Sequence, residues 1–362
     1  MHIYKTYNIL KRFVNRVSDS PAYLIFFVTN NCIAKCAHCF YWKEQTEEKK
    51  ILSIDEIEKI AKTTHSLSFL LLTGGEPYLR EDLHEIAYLF YRFTPVRNLA
   101  TPTNGFLGDK IICYAEKILK KCREAKLTVN VSLDGIGELH DKIRGVPGIF
   151  EKAVYTFHGL MSLKKKYKNM QVGIITTISA LNQDFIPEIH DFVRNKLNTP
   201  IWAPFLVRGS PRDPNIKKVA PDKYLIADKL IQEDIKSGVY KEYTGFIFAR
   251  FNSAKNVVRR KLIAKILKEN KYELPCYAGK INAVLYSDGD IYPCELLNRK
   301  IGNIRDYNLD MRNIWMGREA EQVREIIKNL KCFCTHECFL TTNMLYNLKY
   351  YPEIAYWWYK YI

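Results

Sequence analysis

Cys32, Cys36 and Cys39 fall within eight residues, in the stretch TNNCIAKCAHCFYW (29–42), and three aromatic residues close that stretch. Three thiolates leave a tetrahedral metal site one ligand short. Structural zinc sites close with four protein ligands, and the neighbouring His38 could supply the last. A cubane iron–sulfur cluster is the other chemistry open to them: three irons are held by the thiolates and the fourth is left for a substrate or cofactor. Five more cysteines, Cys276, Cys294, Cys332, Cys334 and Cys338, crowd the last quarter of the chain. Cys113 and Cys122 sit on a stretch of helical period outside both groups and read as packing residues.

The setting favours metal or redox chemistry over disulfides. No segment reaches the roughly 20 apolar residues that span a bilayer. The N-terminus lacks the basic start, apolar run and small-residue cleavage site of a signal peptide, so the expectation is a cytoplasmic protein with reduced thiols. A chain of 362 residues with 47% hydrophobic and 26% charged residues is a folded globular protein, large enough for one big core and a satellite. Fifty-five Lys and Arg against 39 Asp and Glu give a formal charge of +16, which suits an anionic partner: an acidic peptide, a nucleic acid or a lipid headgroup surface. A Lys-rich solvated surface is the plainer reading of the same charge.

The elements that must position the thiols are legible as alternation. Strand-like runs at 23–28, 68–73, 96–101, 127–133, 171–179 and 201–207 are separated by stretches of helical period at 53–66, 81–93, 109–122, 150–167 and 184–197. Ser53 with Glu56 three residues on is a capping box. Regular βα alternation predicts parallel strands with right-handed helical crossovers, as an open doubly wound sheet or a barrel. Ligands gather at the carboxyl ends of the strands in both, and the cysteine loop directly follows the first strand. A Lys-rich helical stretch covers 215–270, followed by short strands, a helix and the five cysteines. Two flanks stand out. Residues 3–17 form a basic amphipathic pattern, and YPEIAYWWYKYI ends the chain; both suit a membrane interface or a cover over the core.

The order CIAKCAHC, then LTGGEP (72–77) after the second strand, resembles the radical S-adenosylmethionine superfamily, with His38 at the aromatic position before the last cysteine. The resemblance implies a partial (β/α)6 TIM-like barrel over residues 23–214, preceded by the basic segment 1–22. It implies a 4Fe–4S cluster on Cys32, Cys36 and Cys39, and S-adenosylmethionine (SAM) on its open iron. Gly74, Gly75, Glu76 and Pro77 would meet the methionine amino group. Ser132 of VSLDG and Arg144 of HDKIRG would take its carboxylate and Asp134 the ribose, with Asn104, Asn182 and Arg208 on the same rim. The resemblance further implies that the reduced cluster would cleave SAM to a 5′-deoxyadenosyl radical able to abstract hydrogen from a substrate.

The C-x12-G-x4-C pattern of Cys276, Gly289 and Cys294, with CFCTHEC (332–338), resembles the SPASM/twitch extension, a small α+β domain at 271–340 after a helical linker (215–270) and before the aromatic tail (341–362). A full SPASM set has seven cysteines. Five imply one auxiliary 4Fe–4S cluster, on Cys276, Cys294, Cys338 and either Cys332 or Cys334; a structural zinc is the alternative. The function expected is radical modification of a peptide or protein, with an electron donor such as ferredoxin or flavodoxin. The alternatives are a lipid-linked or small-molecule substrate at a membrane surface, and a non-catalytic iron–sulfur carrier or sensor. No RNA-binding module is recognisable, so nucleic acid is not an expected partner.

Overall fold

The computed structural model describes residues 18–46, 50–199, 201–238 and 247–360. The basic pattern at 3–17 lies outside them. The six apolar runs form β1 (Tyr23–Phe27), β2 (Phe69–Thr73), β3 (Asn98–Thr103), β4 (Lys126–Ser132), β5 (Met170–Ile178) and β6 (Trp202–Leu206). They pair in chain order and in parallel throughout. Parallel neighbours need crossovers. These are α1 (Ile54–Lys62), α2 (Leu83–Phe93), α3 (Gly108–Lys121), α5 (Ile149–Lys166), which follows the short α4 (Glu138–Arg144), and α6 (Ile186–Asp191).

Period-2 alternation sorts the strand side chains. Leu24, Phe26, Leu70, Leu72, Leu127 and Val129 belong to the buried core with Ile57, Ile60, Ile86, Phe90 and Ile118 of the helices. Residues of the opposite parity on all six strands, among them Phe27, Leu71, Pro102, Ser132, Thr177 and Phe205, line one common cavity. A sheet whose six strands all face one cavity is curled around it, which is the expected partial barrel. The Ser53–Glu56 capping box starts α1 with both reciprocal hydrogen bonds made. Past α6 the helical stretch widens to a π-turn (Phe192–Lys196) that buries Val193.

The C-terminal strands do not form a separate sheet. β7 (Asn282–Leu285) pairs in parallel with the free side of β1, and β8 (Asp290–Tyr292) and β9 (Gly302–Asn303) continue it antiparallel. Gly289, at φ +93°, makes the β7–β8 turn, where an added Cβ would sit 3.0 Å from the Asn303 amide oxygen. Beyond it lie α9 (Met311–Trp315) and α10 (Arg318–Asn329). Arg305 fastens this region to the first crossover helix. Its Nε and Nη2 donate to the two oxygens of Glu56 at 2.6 and 2.9 Å, and Nη1 donates to the Asp288 carbonyl at 2.7 Å.

Between the two regions, α7 (Pro221–Lys236) and α8 (Ile247–Glu269) pack on one another, with a buried Asp228–Arg260 ion pair at 2.6 Å. α11 (Glu337–Leu345) and α12 (Tyr351–Lys360) pack on α8 in turn. The aromatic tail is half cover and half surface. Ile354 and Trp357 are buried, with the Lys261 ammonium 4.2 Å from the Trp357 ring, while Tyr356 and Tyr359 face outward. Among the described residues no helix is long and apolar enough to cross a membrane.

Replacing Arg305 by Ala should lower stability by about 2 kcal/mol, the scale of charged hydrogen bonds. The Arg305 hydrogen bonds hold Glu56 down to about 2. The difference between wild type and variant should therefore stand at full size above the ordinary glutamate range and fade as pH falls toward 2. Urea unfolding of both proteins at pH 7 and pH 3 measures it.

Candidate functional site

The cysteine loop is clamped from two sides. On one, Gly75 N donates to Thr29 O at 2.9 Å and Glu76 N to Asn31 O at 2.8 Å, so the GGEP segment runs against the backbone that leads into Cys32. An added Cβ at Gly74 would lie 2.3 Å from Thr29 O, and one at Gly75 2.2 Å from Asn31 O. The close approach these glycines permit is to the loop itself, and both still line the cavity. On the other side, Lys35 N and Ala37 N donate to the carbonyls of Arg144 and Ile143 at the end of α4. Gly145 closes that helix at φ +67°, with Lys35 O 2.8 Å from where its Cβ would stand.

Each of the three sulfurs meets a side-chain N–H donor: Asn104 Nδ2 at 3.8 Å from Cys32, Arg144 Nη1 at 3.6 Å from Cys36, and Gln45 Nε2 at 3.9 Å from Cys39. The backbone N–H groups of Ala34 and Tyr41 add donors to Cys32 and Cys39. Burial, then neighbouring negative charge, pushes the Cys32 thiol up to about 12 and Cys39 up to about 11. A metal that replaces those protons relieves the desolvation, and the donors favour charged sulfur. Three soft thiolates in such a cradle fit an iron–sulfur cluster. Among the described residues no three His, Cys, Asp or Glu side chains converge on one ion's position.

The cavity, about 330 Å³, receives Cys32, Cys36, Cys39, Gly74, Gly75, Glu76, Asn104, Ser132, Arg144 and Arg208 of the expected residues, and His38 as well. Burial raises Glu76 to about 7. Its two oxygens accept from Thr103 Oγ1 at 2.9 Å and Asn104 N at 2.8 Å, which fixes the Asn104 side chain over Cys32. Burial lowers His38 to about 4, so it is neutral at pH 7, with Nε2 3.7 Å from Asp134.

Three expected contacts turn away from the cavity. Asp134 is fully buried: Oδ1 accepts from Thr177 N at 2.7 Å and Oδ2 pairs with Arg144 Nη2 at 2.7 Å, so its carboxylate orients protein groups instead of a ribose. Burial alone would raise its pKa, but Arg144 and His38 outweigh that and lower it. Asn182 is also fully buried, donating to Asp134 O and Thr177 O and accepting from Ser179 N and Oγ, with no bond left for a ligand. Pro77 opens a buried 3-10 turn behind Glu76.

The second cysteine group also departs from expectation. Cys276, Cys294, Cys332 and Cys334 surround a separate cavity of about 190 Å³, walled by Leu274, Leu296, Phe333 and Phe339. Both members of the Cys332/Cys334 alternative are present, and Cys338 is not. Cys338, the second residue of α11, lines the barrel cavity instead. Backbone N–H groups of Ala278, Leu297 and His336 point at the sulfurs of Cys276, Cys294 and Cys334. Four thiols with amide donors in a soft-lined pocket again fit an iron–sulfur cluster.

Sequence reasoning missed Gln45, Glu295 and His336. Glu295 is buried on the barrel cavity, paired with Arg208 at 3.2 Å and with His336 Nε2. Burial raises its carboxyl, and Arg208 and His336 reverse this to about 2. Glu295 directly follows Cys294, and His336 lies inside CFCTHEC; the only signal was adjacency to cysteines already singled out.

Comparison with known proteins agrees with this geometry. Residues 26–192 match the family model of the radical SAM superfamily, and 276–339 that of an iron–sulfur cluster-binding domain, SPASM. Residues 26–192 are thus a radical SAM domain and residues 276–339 a SPASM domain, and the relatives that share the first are enzymes. The cofactor set that goes with these domains is SAM, a 4Fe–4S cluster and auxiliary iron–sulfur. The chain is 32% identical over 181 residues to the Fe-coproporphyrin III synthase of Methanosarcina barkeri, 49% of this chain and 42% of that protein. It thus spans less than half of that relative's length. It is 26% identical over 325 residues to the AdoMet-dependent heme synthase of the same organism, 88% of each. Among solved structures it resembles Streptococcus suis SuiB bound to S-adenosylmethionine (TM-score 0.60, 16% identity, 95% of this chain and 78% of that one). It also resembles anSMEcpe with bound AdoMet and Kp18Cys peptide (TM-score 0.59, 18% identity, 94% and 97%). At these identities the likeness is one of fold.

Asn182→Ala should cost about 2 kcal/mol of stability by stranding buried partners while the folded protein keeps its SAM affinity. Ser132→Ala, on the cavity wall, should do the reverse: stability within about 0.5 kcal/mol of wild type and SAM binding weaker by roughly fivefold. Thermal melts and equilibrium SAM binding on both variants check the assignment.

Proposed function

We propose that the protein cleaves SAM reductively and uses the resulting radical to modify a peptide or protein. The observation that carries the first half is the clamped three-cysteine loop at the mouth of a cavity to which all six barrel strands contribute. When bound, the cluster on Cys32, Cys36 and Cys39 supplies the electron that breaks the sulfonium bond. The chain's own residues do the rest. Asn104, Arg144 and Gln45 direct N–H groups at the thiolates, and Glu76 orients Asn104. Ser132 offers its hydroxyl to the SAM carboxylate from the cavity wall, where the Arg144 guanidinium adds positive charge. The aromatic and aliphatic floor of Tyr23, Phe27, Phe69 and Leu71 excludes water from the reacting centre.

The peptide half rests on the formal charge of +16 and on relatives. AlbA of Bacillus subtilis, an antilisterial bacteriocin subtilosin biosynthesis protein, is 27% identical over 295 residues, 78% of this chain and 57% of AlbA. SuiB has been solved with its precursor peptide SuiA. A small-molecule reading is favoured by the heme synthase, which aligns along 88% of both chains. An acidic peptide and a carboxylate-bearing tetrapyrrole both suit a basic protein, and the electron would come from a ferredoxin or flavodoxin in either case.

Anaerobically reconstituted protein given a low-potential reductant should form 5′-deoxyadenosine. Cys36→Ala should reduce that yield at least ~100-fold and remove about four irons. Cys294→Ala should keep SAM cleavage but lose coupling to substrate. Full 5′-deoxyadenosine formation by Cys36→Ala overturns the reading. Stimulation by an acidic peptide and not by a porphyrin substrate supports the peptide assignment, and the opposite pattern supports the small-molecule one.

A further inference from the structure

The loop that carries Cys332 and Cys334 also reaches the surface. Phe333 stands between those two cysteines, borders the pocket they share with Cys276 and Cys294, and is 38% exposed. One aromatic ring therefore separates the pocket from solvent there. Three residues earlier, Leu330 is 63% exposed. On its inner side the pocket is closed by His336, whose hydrogen bond to Glu295 makes the wall against the barrel cavity.

Cations surround these two side chains. Lys328 and Lys331 flank Leu330, Arg299 and Lys300 follow the pocket residues Leu296 and Leu297, and all four are exposed. Lys300 pairs with Asp290 at 2.7 Å, while Lys328, Lys331 and Arg299 form no ion pair among the described residues. Glu325, one turn before Lys328 on α10, is the acid nearest to them in the chain. The helix ends in a Schellman motif, in which Lys331 N donates to Lys328 O and Cys332 N to Ile327 O, each at 3.2 Å. Lysines at a helix C-terminus complement the partial negative charge there, which accounts for Lys328 and Lys331. It does not account for the exposed leucine and phenylalanine they border. An apolar centre edged by unpaired cations matches an acidic protein partner, in shape of contact and in sign of charge.

We propose that Leu330 and Phe333, with Lys328, Lys331 and Arg299, are the docking surface for a small acidic electron carrier of the ferredoxin or flavodoxin kind. This rests on the radical SAM reading and on an iron–sulfur cluster in the four-cysteine pocket. Electron transfer falls steeply with distance, so a carrier gains most by sitting over the thinnest cover. It arrives with one electron more than it leaves with, and gives that electron to the cluster held behind Phe333, for use across the His336–Glu295 wall. The loop of Cys32, Cys36 and Cys39 offers a poorer match: α4, which clamps it, exposes Lys142 but also Glu138, with Asp141 beside them. Redox encounters are small and transient, and a patch of five side chains suits one.

The test uses the full chain after anaerobic reconstitution, with an acidic bacterial flavodoxin and an acidic ferredoxin as probes. Wild type is compared with Leu330→Ser, Lys142→Glu and the double variant Lys328→Glu with Lys331→Glu. Binding affinity is measured at two ionic strengths, and the reoxidation of reduced flavodoxin is followed on mixing. At least one probe should bind wild type, less tightly as salt rises. The double variant should bind it at least ~10-fold more weakly, with a flatter salt dependence and slower reoxidation. Leu330→Ser should lose affinity with the salt dependence kept, and Lys142→Glu should match wild type. Iron content and dithionite-driven 5′-deoxyadenosine formation should stay at the wild-type level in every variant, which separates docking from folding. The proposal is overturned if neither probe binds wild type at low salt, if the double variant binds as wild type does, or if Lys142→Glu is the variant that loses binding. Wild-type protein with only about four irons overturns it too, by removing the cluster the carrier would serve. Wild-type protein that makes no 5′-deoxyadenosine with dithionite is the separate signature of failure of the radical SAM reading.

Discussion

The buried pair of Asp134 and Arg144 is the interaction on which the rest of the site depends. Charges this deep repay their desolvation through close pairing and further hydrogen bonds. Asp134 spends its second oxygen on the Thr177 amide of β5, and Arg144 spends its second amine on the Cys36 sulfur. One ion pair thereby joins the end of β4, the short α4, β5 and the cysteine loop. The carbonyls of Ile143 and Arg144, adjacent in the same helix, receive the loop amides of Ala37 and Lys35. Removing either charge would leave its partner buried and would also loosen the backbone that aims Cys36. The site is therefore rigid for the same reason that it is electrostatically tuned.

A second constraint comes from β1. It is the only described strand that pairs with both the barrel, through β2, and the C-terminal strands, through β7. The residues just past it, Thr29 to Asn31, carry the cysteine loop. Asn30 Oδ1 accepts from Tyr41 of that loop at 2.7 Å and from Ser287 of the β7–β8 turn at 2.6 Å. The two thiol groups are thus registered against each other through one strand and one amide, in place of a flexible linker. Arg305 on Glu56 repeats the fastening on the helical side.

Much of this was legible in the sequence because the signals are local. Strand runs, the capping box of Ser53 and Glu56, and three thiols with GGEP at successive strand ends each depend on residues near one another in the chain. What escaped depends on tertiary context. Asp134 and Asn182 look like rim residues in a linear motif, yet the fold uses both to satisfy backbone groups of β5, and nothing in their spacing shows which way they turn. Asp228 and Arg260 sit in what reads as a polar helical stretch and instead form a buried pair between α7 and α8. Gln45 reaches Cys39 only because the chain bends back after Trp42, and a lone glutamine carries no sequence signature for that.

The division of CFCTHEC between two cavities has a geometric cause. Cys332 and Cys334 precede α11 in irregular backbone, where alternate residues can share one pocket, and Cys338 is the second residue of the helix. Entry into the helix changes the direction of successive side chains from a two-residue period to 100° per residue. Glu337, its first residue, turns toward β6 and accepts from Leu206 N at 2.6 Å, which docks the start of α11 against the last barrel strand. With Glu337 anchored there, Cys338 is carried to the barrel side of the His336–Glu295 wall. A four-residue spacing that looks uniform on paper thus straddles a change of secondary structure, and that change decides which cavity each thiol can reach.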